Sequence, residues 1–116
     1  MSTERKQLEL AARACGYELQ WESDGTIQNR INRPTIPYEC QGMISATDWN
    51  PLKDDGDCAR MEAALGIELT WFFDRVDALA CDVAPVVEYF KDHAGDKNAA
   101  RRAASVAVAA EIGRLM

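Results

Sequence analysis

Residues 48–73, DWNPLKDDGDCARMEAALGIELTWFF, decide the fold, because the period of their apolar residues changes partway from that of a helix to that of a strand. Cys58, Met61, Ala64 and Leu65 fall on one helical face, and Gly66 supplies the stop. The helix starts either where Asn50 caps Pro51 or at an aspartate of the run Asp54-Asp55-Gly56-Asp57. Both readings set the acids near the positive end of the helix dipole. Ile67, Leu69, Trp71 and Phe73 then alternate with Glu68, Thr70 and Phe72, the period-two signature of a strand. A turn near Asp74-Arg75 and a strand from Val76 to Val83 complete a hairpin. Behind Pro85, Val86 to Phe90 fits either a short helix that the proline opens or an edge strand that it enters, with the strand preferred.

Working outward, Thr3 is placed to cap a helix over residues 3–15, in which Leu8, Ala11, Ala12 and Cys15 recur at helical spacing before Gly16. Tyr17, Leu19 and Trp21 alternate with Glu18, Gln20 and Glu22, which predicts a strand over 17–22, and Ser23-Asp24-Gly25 predicts a turn. A short strand fits Thr26 to Ile31. Pro34 and Pro37 then interrupt any ladder, so residues 32–47 are expected to be mostly loop, the kind of segment that carries binding residues. At the other end, Asp96 or Asn98 caps an alanine-rich helix running to Met116 with an apolar stripe of Ala104, Val108, Ile112 and Leu115. Alanine on that surface permits close approach to a sheet or helix. Three helices interleaved with strands fit a mixed α/β (α+β) fold, a layered sandwich with a small, mostly antiparallel sheet, better than a helical bundle.

A chain of 116 residues, 47% of them hydrophobic, suits one domain over 1–116 with one modest core. The net charge of −6 repels phosphate backbones and anionic bilayers, which argues against direct nucleic-acid binding or membrane attachment, while an acidic surface could meet a basic partner. Cys15, Cys40, Cys58 and Cys81 are spaced too widely for a zinc site, so no metal or other cofactor is expected. Three of them sit on apolar patterns as small core residues, and Cys40 lies in the expected loop. No apolar run resembles a signal peptide or a membrane span, and the reading is a cytoplasmic protein with free thiols.

Three stretches carry a resemblance: ELAARACGYELQW (9–21), WNPLKDDGDCARMEAALGIEL (49–69) and NAARRAASVAVAAEIGRLM (98–116). Together they resemble the phage ABA sandwich family of small tailed-phage and prophage proteins. Its pattern is an acidic W-N/D-P-L-x-D-D-G-D motif before a helix and a terminal Ala-rich helix opening with R-R-A. The resemblance implies an αβα layered fold and a phage origin, with the cytoplasm of a bacterial host as the compartment. It implies no reaction and no catalytic residues. Cys58 stands where the pattern has alanine, and residues 26–46 and 74–95 carry no matching motif.

The candidate binding residues are Trp49, Asp54, Asp55, Asp57, Arg101 and Arg102. The aspartates could hold a hard cation, but the spacing is not that of an EF-hand loop, and capping a helix start explains them without metal. Trp49 is either a stacking platform or a plug at the end of the core. Arg101 and Arg102, in the first turn of the last helix, could fork onto a phosphate or carboxylate, or pair with the Asp54–Asp57 run. His93 is the single histidine, and catalysis by it would need an orienting carboxylate or a partner nucleophile.

These features point to a phage accessory protein that acts by binding, blocking or sequestering a bacterial host component such as a defence protein. One alternative is a nucleotide-like small-molecule binder or enzyme built around Trp49, Arg101 and Arg102. Another is a structural or assembly protein of the phage, a homo-oligomer joined through the Ala-rich helix or an open sheet edge.

Overall fold

The computed structural model describes residues 3–17, 20–22, 33–40 and 43–116. They form the mixed α+β fold expected: helix α1 (Thr3–Ala14), strands β1 (Gln20–Glu22), β2 (Arg33–Cys40) and β3 (Met43–Asp48), helix α2 (Asp55–Leu65), strands β4 (Glu68–Trp71), β5 (Arg75–Leu79) and β6 (Val86–Tyr89), a 3₁₀ turn (Phe90–His93) and helix α3 (Lys97–Arg114). The strands make two three-stranded sheets, ordered β1-β2-β3 and β4-β5-β6, with every pair antiparallel.

Helix α3 is the element on which the other two helices and the second sheet are assembled. Strands β5 and β6 pack on it, and so do α1 and α2. Its run of small residues makes this possible: Ala100, Ala104, Ser105, Val106, Val108 and Ala109 are fully buried, so neighbours approach on several sides without colliding with long side chains. From α1 come Leu8, Ala11 and Ala12, from α2 Cys58 and Met61, from β5 Val76 and Ala78, and from the residue after it Ala80. Asp96 rather than Asn98 caps α3, its carboxylate accepting from the Ala99 amide at 3.1 Å. The expected stripe holds at Ala104 and Val108 but fails at Leu115, which lies past the helix end and is 58% exposed.

Both start signals of α2 are used. Asn50 closes a turn over 51–53, its side-chain oxygen accepting from the Leu52 amide at 3.1 Å and its carbonyl from the Asp54 amide at 2.9 Å. Asp54 is the N-cap, accepting from the Asp57 amide at 2.8 Å. Gly66 takes the left-handed conformation, φ +66°, that ends the helix. On the inward face Cys58 and Met61 are buried as expected, whereas Ala64 is exposed and Glu62 takes a place in the interior.

The main correction concerns residues 32–47, expected as loop: residues 33–40 and 43–48 form the β2–β3 hairpin, in register from Thr35 opposite Asp48 to Cys40 opposite Met43. The prolines misled the sequence reading. Both prolines lie within β2, Pro34 opposite Trp21 of β1 and Pro37 opposite Ala46 of β3, so neither one ends the strand. The strand expected over Thr26–Ile31 lies outside the described residues.

Three boundaries also move. Tyr17 is not in a strand but closes α1, its amide donating to the Ala12 carbonyl at 2.8 Å behind Gly16 at φ +80°, and the described strand starts at Gln20. β5 stops at Leu79 rather than Val83, because the chain turns through Asp82 at φ +68°. The turn between β4 and β5 covers Phe72–Asp74, so Phe73, expected on the buried face, sits at the hairpin tip 92% exposed.

Candidate functional site

The residues singled out in the sequence gather at the junction of α2 with α3. Arg102 Nη1 lies 2.5 Å from Asp55 Oδ1, and its Nε donates to the Leu52 carbonyl at 2.9 Å. Arg102 thus pairs with the acidic run, one of the two arrangements the sequence allowed. Arg101 turns instead to Glu62, donating from Nε to Oε2 at 3.0 Å and from Nη2 to Oε1 at 2.5 Å, a forked pair between residues 39 positions apart. The side chains of Arg101 and Glu62 are 19% and 10% exposed, so this pair is largely withdrawn from water.

Glu62 is the centre of a buried polar cluster. Its Oε2 also accepts from the Ser105 hydroxyl at 2.5 Å and from the Cys58 thiol at 3.5 Å. Burial, reinforced by the neighbouring carboxylate, pushes the Cys58 thiol up to about 12, so it stays neutral and unreactive. The forked bond to Glu62 raises the Arg101 pKa further above its usual value. Sequence reasoning passed over Glu62, although Cys58, Met61, Glu62 and Leu65 have the i, i+3, i+4, i+7 spacing of one helix face, which marks a carboxylate facing inward.

The remaining candidates also hold structure. Asp57 is buried and bonds through Oδ2 to the Asn50 amide at 2.9 Å and through Oδ1 to Arg60 at 2.6 Å. Asp54, Asp55 and Asp57 are therefore a helix cap, a partner of Arg102 and a clamp on the preceding turn. No group of three or more possible metal ligands occurs among the described residues. Trp49 is 4% exposed and meets Tyr17 edge-on at 5.8 Å, which is the plug arrangement rather than a stacking platform. The small-molecule reading required Trp49, Arg101 and Arg102 around one opening; here each is spent on a partner within the fold.

His93 bonds through Nε2 to Glu88 Oε1 at 2.7 Å, an orienting carboxylate that no sequence pattern announced. No hydroxyl or thiol is recorded against the ring among the described residues, so the pair ties the 3₁₀ turn to β6. Of the cysteines, Cys58 is buried, burial pushes the half-buried Cys15 up to about 11, and Cys81, expected in the core, is exposed in the turn after β5.

A different surface stands out for what it leaves open. Cross-strand register puts Val76 and Ala78 on the face of the second sheet that packs on α3. The opposite face carries three rows: Glu68 with Leu79; Thr70, Asp77 and Val87; and Phe72, Arg75 and Tyr89, where the Phe72 amide continues the ladder by donating to Arg75 at 2.8 Å. Leu79, Val87, Tyr89 and Phe72 are 38–41% exposed on this face, and Phe73 projects beyond it. An antiparallel sheet with one solvated face ordinarily alternates apolar inside with polar outside, and here that rule is broken. The sequence hinted at it only in the unbroken run Trp71-Phe72-Phe73, which cannot all face one side of a strand.

Comparison with protein-family models, with curated proteins and with solved structures finds no match to this chain.

Proposed function

We propose that the chain works by binding a protein partner through the outer face of β4-β5-β6, as a phage accessory protein that blocks or sequesters a component of its bacterial host, in the host cytoplasm. The observation that carries the binding role is the half-exposed apolar set Phe72, Leu79, Val87 and Tyr89 on one sheet face, with Phe73 at its rim. Exposed apolar side chains gathered on one sheet face cost solubility and are characteristic of interaction sites. The phage and host parts of the reading rest on the resemblance of residues 9–21, 49–69 and 98–116. No helix among the described residues is long and apolar enough to cross a membrane.

Two competing roles lose support from the same geometry. An oligomer built through the Ala-rich helix needs α3 at the surface, yet its small residues are consumed inside the fold. A phosphate or carboxylate ligand on Arg101 and Arg102 would have to displace Glu62 and Asp55.

The test is gentle purification of tagged protein from a bacterial host, followed by native mass spectrometry, for the wild type and for Val87→Glu. The expected result is a stoichiometric host polypeptide on the wild type that is absent from Val87→Glu, with unchanged far-UV spectrum and Tm. Retention of the polypeptide by Val87→Glu moves the binding site elsewhere. A discrete small added mass in its place, or unaltered phage growth after deletion of the gene, overturns the reading.

A further inference from the structure

Asp77 sits in the middle of the outer sheet face, on the central strand, between Thr70 of β4 and Val87 of β6. Its Oδ1 is withdrawn from water and has no hydrogen-bond partner among the described residues. A carboxylate oxygen in that condition normally costs about 1–3 kcal/mol, which makes an unsatisfied one rare in a finished fold. The cation next to it is Arg75, whose Nε is 3.9 Å away, beyond hydrogen-bond reach. Arg75 is turned toward the hairpin tip instead, bonded to Asp74 Oδ1 at 2.8 Å and stacked over the Phe72 ring at 4.3 Å. The face therefore holds a carboxylate with one oxygen buried and unsatisfied and the rest of the group partly exposed beside apolar side chains.

Resting on the binding role assigned to this face, we infer that its partner is a basic segment that lays apolar side chains on Leu79, Val87, Tyr89 and Phe72 and delivers a lysine or arginine to Asp77. Charge complementarity selects this occupant: the chain is at −6, and on this face Glu68 and Asp77 are acidic while Arg75 is bonded to Asp74. A second copy of the chain fits poorly, since a two-fold axis through the middle of the face would set Asp77 against its own symmetry mate. An acidic segment would meet both Asp77 and Glu68. A cation reaching the exposed part of the Asp77 carboxylate, whose side chain is 27% exposed, is partly sheltered from water by the surrounding apolar groups, where a charge-assisted bond is strong.

The experiment uses two synthetic eight-residue peptides of equal apolar content, one alternating valine with lysine and the other valine with glutamate, titrated into the intact ¹⁵N-labelled protein. The lysine peptide is expected to shift the amides of Thr70, Asp77 and Val87, to bind more weakly as salt is raised, and to lose roughly tenfold in affinity with Asp77→Asn. Equal binding of both peptides, abolished by Val87→Glu and indifferent to Asp77→Asn, overturns the basic-partner inference while leaving the apolar face as a binding site. No movement of these amides with either peptide counts against the face itself. Shifts in the same row on concentrating the protein alone, with a doubled mass in solution, assign the face to a second copy and overturn the inference.

Discussion

Gly113 of α3 lies directly against the backbone of Leu10 of α1: a Cβ atom at position 113 would stand 1.9 Å from the Leu10 carbonyl oxygen and 2.8 Å from its carbonyl carbon. A side chain can rotate away from a clash, but a main-chain carbonyl inside a helix can move only with the helix. The two helices therefore pack at a separation that glycine alone permits, helped by Ala11 and Ala12 on the facing surface. Gly113→Ala should force them apart and destabilise the protein by about 3 kcal/mol, more than its gain in helix propensity returns. Urea unfolding of the variant checks this, and a shift in midpoint below that of an ordinary surface substitution would mean that α1 docks less tightly than described.

Glu62 and Arg101 form the second junction, between α2 and α3. Glu62→Ala leaves the Arg101 guanidinium and the Ser105 hydroxyl without their shared acceptor, and should cost about 3–5 kcal/mol. Replacing both residues by apolar groups, Glu62→Leu with Arg101→Met, should recover much of that loss, because no buried charge then stays uncompensated. A double-mutant cycle by chemical denaturation measures the coupling. A value near that of an exposed pair, below about 1 kcal/mol, would place the pair in water.

The pH dependence of stability has a defined sign at Cys58. Its thiol is raised from 9.0 to about 12 in the folded protein by burial and by Glu62, so above pH 9 the unfolded chain releases this proton while the folded chain retains it. The unfolded state binds fewer protons in that window, and stability falls as pH rises from 9 toward 12. Between pH 8 and pH 10.5 the wild type should lose about 1–2 kcal/mol more than Cys58→Ala. Denaturation midpoints of the two proteins at both pH values make the comparison, and parallel losses would show that other groups dominate.

The aspartates that open α2 should behave as structural acids of unequal weight. Asp54→Ala removes one cap bond to the Asp57 amide and should cost about 1 kcal/mol. Asp57→Ala should cost more, because its buried carboxylate holds both the Asn50 amide and Arg60, and the half-buried Asn50 amide loses its acceptor. Thermal unfolding of the two variants ranks them, and the reverse order would assign the run a role other than holding the turn to the helix.

What could be read from the sequence was what neighbours in the chain decide. Gly16, Gly66 and the Asp54 cap mark helix ends because the bonds that end a helix are made within four or five residues. The alternation after Gly66 marks β4 because side-chain direction in a strand is fixed by the residue count alone. The same local logic failed at Pro34 and Pro37, since whether a proline breaks a ladder depends on which strands flank it.

Tertiary structure alone decided the rest. Glu62 meets Arg101 across 39 positions and Arg102 meets Asp55 across 47, and no spacing rule relates residues that only the docking of α2 on α3 brings together. Nothing in the sequence marks Leu79, Val87 and Tyr89 as exposed, since composition records that a side chain is apolar but not whether another layer covers it. Once α3 has taken one face of β4-β5-β6, the described residues put no second helix on the other. Asp77 is left in its centre by register, and among the described residues no donor is brought to its Oδ1.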